Sequence, residues 1–418
     1  MKTFRMIALA AAVTACGEDV TAPGACPDFC PAARLETRDT LLTSSVMDAE
    51  SYPGYVLANR ATTLQVVSDG TGQVSRALVR FRAFSAEVAE GGDLVPVEAV
   101  DSFRLQLNVR RRREDRTGYE LQVHRIPVTV DSATSYDDAR PYFADSTLLA
   151  TVLVPDSVEG DTLAAADSIL VTLPREAFPT LEPDSFVTAI GVALRADQEG
   201  YVDLAATDQG GRGASITWFV KIDSSGTLVG RQDSRLPSFD GFVVEDWPPG
   251  PDDALLVGGI PSARTFLRFD LPPGILNAST IVRATLLMVP SEPLLGAAAD
   301  TVTLVAFPLL KDFGPKSKPE VLPRDTLVRE LEGLPPDTVV REQAVLVVGT
   351  ADSIVMDITR IVQPWQGDST VSQSLVLLLS PEGGSIAELR LQSPTGASGR
   401  PALRITYVPF FSYEEPLP

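Results

Sequence analysis

A single histidine, His124, serves the whole chain. That counts against a Ser-His-Asp relay and against imidazole-based metal sites. His124 lies in Leu121-Gln122-Val123-His124-Arg125, on the polar phase of an alternating stretch, and is expected to face solvent. Acidic pairs are more plentiful: Asp137-Asp138, Asp252-Asp253 and Glu245-Asp246. Two carboxylates across a cleft hydrolyse glycosides, but these pairs sit in turn-like contexts and read as solvated loops. Asp137-Asp138 and Asp252-Asp253 are also candidate donors to a structural Ca²⁺, which takes hard oxygen ligands from loops. No EF-hand spacing accompanies them. The run Arg110 to Arg113, followed by Glu114, Asp115 and Arg116, is the one dense basic stretch and is expected to form a hairpin tip. Such a tip is either solvated and neutralised by its own acids, or grips a carboxylate or phosphate through bidentate guanidinium forks. Among aromatics able to stack on a sugar, Trp218 and Tyr407 fall in strand patterns and read as core, whereas Trp247, beside Pro248 and Pro249, reads as a loop residue. With no Gly-rich phosphate loop, nucleophile elbow or metalloprotease helix, no catalytic residue and no cofactor are expected, and the chain does not read as an enzyme.

The elements that must carry these residues are strands. Leu105, Leu107 and Val109 alternate with Arg104, Gln106 and Asn108; Leu389 and Leu391 alternate with Arg390 and Gln392; Leu403 and Ile405 alternate with Arg404 and Thr406. Period-two alternation marks strands with one face buried and one in water. Ser374 to Leu379 and Ile281 to Val289 look buried on both faces. Only Asp137 to Phe143 and Asp357 to Trp365 suggest short turns of helix. The 33 prolines and 30 glycines punctuate the chain at short intervals, as a sandwich or barrel requires. A chain of 418 residues with 44% hydrophobic content has material for two or three cored domains. Acidic residues outnumber basic ones by 55 to 35, for a net charge of -20, which argues against nucleic acid as a partner.

The chain also echoes itself. Leu78-Val79-Arg80-Phe81 recurs as Leu267-Arg268-Phe269, Tyr119 to Pro127 matches Asp300 to Pro308, and Asp167-Ser168-Ile169 recurs as Asp352-Ser353-Ile354. The expected fold is therefore all-β: two tandem antiparallel β-sandwich domains, jelly-roll-like, after a lipidated N-terminal tether. The expected boundaries are a leader over 1–15, a tether over 16–52, a first diverged domain over 53–223 and a linker over 224–238. A second domain over 239–410 and a tail over 411–418 complete the chain.

The leader carries Lys2 and Arg5 before the apolar run Met6 to Val13, too short to span a bilayer. It ends in Val13-Thr14-Ala15-Cys16, which resembles the lipobox of bacterial lipoproteins. The resemblance implies cleavage before Cys16 and lipidation there, so that acyl chains hold the protein to a membrane. The alternative is a plain secretory signal with an incidental cysteine. Gly17, where an aspartate would signal inner-membrane retention, favours a cell-envelope location at the outer membrane. In such an oxidising compartment Cys26 and Cys30, in GACPDFCP, are expected to close a small disulfide loop, with free thiols the alternative.

In the second half, Leu255-Leu256-Val257-Gly258, then Arg264 to Pro272 (RTFLRFDLP), then Ile281-Val282-Arg283-Ala284-Thr285-Leu286 resemble the opening of the DNRLRE domain family. Ile354 to Trp365 (IVMDITRIVQPW) and Gly399 to Tyr407 (GRPALRITY) resemble its close. The family's eponymous hexapeptide is absent, and the first half lacks the tryptophan and the terminal Pro-x-Leu. The resemblance implies an antiparallel β-sandwich of the carbohydrate-binding-module kind, with acidic polysaccharide as ligand. Trp365 is expected to plug one end of the core rather than stack on a sugar, and Asp357 to act as a local cap or turn residue rather than a ligand. Carbohydrate binding is expected on the second half, with Trp247, Arg264 and Arg268 at its face, because strand alternation points Arg268 outward between Leu267 and Phe269. The competing expectation pairs Arg268 with an acidic neighbour on the next strand.

Overall fold

The computed structural model describes residues 37–82, 84, 86–156, 167–173, 175, 188–207, 213–309, 340–367, 371–396 and 399–410. The expected leader, Cys16, Cys26, Cys30 and the expected tail over 411–418 lie outside them. The chain is mostly strand: β1 (Arg38–Leu42), β2 (Val46–Tyr52), β3 (Thr63–Ser68), β4 (Gln73–Phe81), β5 (Glu87–Glu90) and β6 (Asp93–Arg112) come first. Next are β7 (Glu120–Ile126), β8 (Leu148–Leu153), β9 (Asp167–Leu173), β10 (Thr188–Leu194), β11 (Gly200–Ala205) and β12 (Ser215–Ser224). β13 (Thr227–Arg235), β14 (Pro237–Val244), β15 (Leu255–Gly258), β16 (Arg264–Phe269), β17 (Ser279–Met288) and β18 (Thr301–Pro308) follow. β19 (Glu342–Val347), β20 (Ile354–Asp357), β21 (Ser374–Ser380), β22 (Glu388–Leu391) and β23 (Ala402–Pro409) end the series. Short helices occur where the sequence suggests them, at Tyr136–Ala139, Thr359–Val362 and Pro364–Gly367, and also at Pro273–Leu276, where it does not.

Alternation builds these strands as expected. Leu105, Leu107 and Val109 are buried while Arg104 is exposed, and Leu403 and Ile405 are buried around exposed Arg404. Antiparallel pairings then repeat between the two halves of the chain. In the first half β10 lies between β4 and β7, and β7 carries β8; in the second, β21 lies between β16 and β18, and β18 carries β19. Likewise β6 takes β9 and β12 as β17 takes β20 and β23, and β3 pairs β11 as β15 pairs β22. One apolar core fills each half. The second draws Leu286 and Leu403 from one sheet and Leu304 and Leu377 from another.

The outer positions carry the correction to the expected domains. In the first half the places beside β12 and β4 are filled by β13 and β14. The corresponding places in the second half, beside β23 and β16, are filled by β1 and β2 from the other end of the chain. Each half is thus completed by the strand pair that precedes the other. Residues 38–52 are not tether, 224–238 is not a bare linker, and β14 belongs with the first half rather than opening the second. Proline and serine content made 16–52 resemble a tether, yet Leu42 and Ala49 pack against the second core.

A buried polar cluster also joins the halves. The Arg111 Nε donates to Asp203 Oδ2 at 2.8 Å and its Nη1 lies 2.9 Å from Asp300 Oδ1. Gln65 Nε2 donates to Asp300 Oδ2 at 3.0 Å, and its Oε1 accepts from the Ile386 backbone at 2.8 Å. Asp203 is fully buried; loss of solvent outweighs the Arg111 charge and pushes its carboxyl up to about 6.

Candidate functional site

The structure takes the predicted arginines out of contention as ligand contacts. Arg264 is only 2% exposed and grips Glu382 bidentately, both N–O distances 2.6 Å, with its guanidinium 4.3 Å from the Tyr55 ring centroid. Arg268 is 8% exposed and donates to Asp48 Oδ2 of the adjacent strand at 2.8 Å. Alternation does point it away from the core. What it meets there is β2, which lies within the expected tether. Trp247 is half-buried against the first core.

The other candidates resolve similarly. The basic run is no hairpin tip, since β6 pairs β9, β11 and β12 rather than β7. Arg112 is buried and donates to backbone carbonyls of Arg113, Arg116 and Asp156. Arg113 pairs with Asp115, and Arg116 with Glu199. His124 does not face solvent but is 1% exposed. Trp218 is core, its ring centroid 5.0 Å from that of Phe84, and Trp365 is buried against Phe269 at 5.5 Å. Asp357 accepts from the Thr359 backbone at 3.0 Å and from its hydroxyl at 2.6 Å, a local turn contact just ahead of the helix Thr359–Val362, whose N-cap Ile358 makes no side-chain cap bond. Asp138 caps a helix and Asp137 lies 3.5 Å from Arg140. Among the described residues no three His, Cys, Asp or Glu side chains converge to hold an ion.

What the molecule does offer is a cleft of about 610 Å³ on the outer face of β4 and β14. This face presents Leu78 opposite Gly241 and Arg76 opposite Val243. Residues 127–147, between β7 and β8, fold over it and bury Val130 and Ala139 against Leu78 and Val243. Their path is fixed locally. The Ser135 hydroxyl accepts from the Asp138 backbone at 3.2 Å and the Asp138 carboxylate accepts from the Ser135 backbone at 3.1 Å, a capping box that starts helix Tyr136–Ala139. Arg80 Nη1 donates to the Val130 carbonyl at 2.8 Å. Gly191 is required beneath them, since a Cβ there would stand 2.4 Å from the Phe143 ring.

Phe143 and Tyr136 in turn enclose Arg76. Its guanidinium sits 4.4 Å from the Tyr136 centroid and 4.7 Å from that of Phe143, and its Nε and Nη1 have no hydrogen-bond partner. The rings replace a carboxylate as counter-surface. Burial and the neighbouring Arg76 charge push the His124 imidazole down to about 4, and burial raises the Tyr136 phenol, whose hydroxyl donates to the Gln73 carbonyl.

The cleft is lined by Tyr136 and Phe239, by the acidic residues Asp131, Asp137, Glu245 and Asp246, and by Asn59 and Pro261. Asp137 and Glu245-Asp246 were visible in the sequence as acidic pairs, and Trp247 follows them directly. Nothing local in the sequence brings Asp137 to Glu245, because the connection runs through β4. No family model matches the chain, and no curated protein matches it.

Proposed function

We propose that this chain is a non-catalytic cell-envelope lipoprotein that binds glycan in the cleft between β14 and residues 127–147. In this reading it is anchored through Cys16, stands at the outer membrane, and is built from two sandwich-like halves of the DNRLRE kind. The observation that carries it is the lining. Its volume lies within the range of small-ligand sites, and it combines two half-exposed rings with a rim of hydrogen-bond acceptors. Rings cover the apolar faces of a pyranose while carboxylates accept from its hydroxyls. The site then belongs mainly to the first half and not to Arg264 and Arg268. Affinity electrophoresis of the full chain through a panel of immobilised polysaccharides tests it. Retardation by at least one polymer is expected. Phe239→Ala should weaken it about tenfold, as loss of an aromatic anchor does. Equal mobility in every polymer would dismiss the reading.

A second reading, a structural or adhesive envelope protein with protein partners, is favoured by one feature: the reciprocal strand pairings tie the two halves together.

A further inference from the structure

Resting on the glycan reading, we infer that the cleft takes saccharides that are uncharged or carry amines, and excludes polyuronates. The lining is rich in carboxylates and poor in cations. Four carboxylates, Asp131, Asp137, Glu245 and Asp246, face one guanidinium, that of Arg140, which already lies 3.5 Å from Asp137. The Tyr136 hydroxyl donates inward to Gln73, and the Ser135 hydroxyl donates to Asp138 at 2.6 Å. Arg76, the one buried cation nearby, does not line the cleft; it is enclosed by the Tyr136 and Phe143 rings. A ligand that brings donors of its own therefore suits this lining best. Sugar hydroxyls and ammonium groups donate to carboxylates in short, charge-assisted bonds. A uronate carboxylate would instead lose water beside like charge, met only by neutral donors such as Asn59, Ser132 and Thr134 and by the already engaged Arg140. The net charge of -20 adds repulsion at longer range. The acidic polysaccharide implied by the family resemblance is thus the class that this lining fits least.

The test is calorimetric titration of the full chain with length-matched oligomers of glucose, glucosamine and guluronate at about 0.01 M salt, where screening is weakest. Binding of the glucose or glucosamine oligomer without the guluronate oligomer is expected. The variant carrying Glu245→Gln with Asp246→Asn should lose glucosamine affinity by roughly three- to tenfold and gain guluronate affinity by a similar factor, since each exposed charge contributes modestly. Both positions are exposed, so an unchanged unfolding midpoint confirms that the fold is retained. Guluronate bound by the unaltered chain as tightly as glucose overturns the inference and leaves the glycan reading standing. If none of the three oligomers binds, the glycan reading fails and takes the inference with it.

Discussion

His124 and Asp203 are both buried titratable side chains, and burial moves their proton affinities in opposite directions. The imidazole, held down to about 4, stays neutral in the fold at a pH where the unfolded chain takes up a proton. Its contribution to stability is therefore present above about 6.5 and is lost as the pH falls towards 4. The Asp203 carboxyl, raised to about 6, binds a proton in the fold before it would in the unfolded chain. Its contribution is present below the ordinary value of 3.8 and is lost as the pH rises through about 6. On acidification from pH 7 to 4 the two effects oppose each other. Urea midpoints across that range, taken for the unaltered chain, His124→Gln and Asp203→Asn, should separate them. Removing the imidazole should flatten the acid loss by on the order of 2–3 kcal/mol. Removing the carboxylate should steepen it. Parallel pH curves for all three proteins would contradict both assignments.

At the scale of elements, strand and core were legible because they depend on alternation alone: Leu105, Leu121 and Leu403 are buried as their phase demands. His124 obeys the same phase as Gln122, yet is buried, because residues 127–147 cover the outer face of that sheet. Alternation tells which face a residue takes and not what lies on that face. Arg268 shows the same limit, since its pairing strand β2 lies far away in sequence. Gly191 is the sequence trace of the covering segment, legible only once Phe143 is known to lie above it. Gly191→Ala should lift Phe143, loosen residues 127–147 and destabilise the fold by about 1–3 kcal/mol, the usual effect of overpacking. It should also reduce glycan retardation, because Tyr136 moves with that segment. A denaturation midpoint and an electrophoretic shift both unchanged from the unaltered chain would show that the segment is not seated as described.

The whole molecule is held together by exchange as well as by burial. Tandem domains joined by a linker separate when the linker is cut, and the sequence suggested such a linker over 224–238. The structure places the β12–β13 turn there, with Ser225 and Gly226 in left-handed conformations. Cutting that turn divides the chain into one piece carrying β1 to β12 and another carrying β13 to β23. Each piece then holds two strands that belong to the other's sheets: β1 and β2 pair with β23 and β16, and β13 and β14 pair with β12 and β4. The contacts of the half-buried Arg111 and the buried Gln65 with buried Asp300 cross the same divide. Separation would break four strand pairings at once and strip Asp300 of Arg111 and Gln65, a loss of many backbone hydrogen bonds and of the cation beside a buried carboxylate. A protease site inserted between Ser225 and Gly226 lies at an exposed turn, where insertions are tolerated. After complete cleavage the two pieces should co-elute on gel filtration at the volume of the intact chain and should part only in denaturant. Pieces that elute separately under native conditions, each with its own cooperative unfolding transition, would show two independent domains and remove the exchange from this fold.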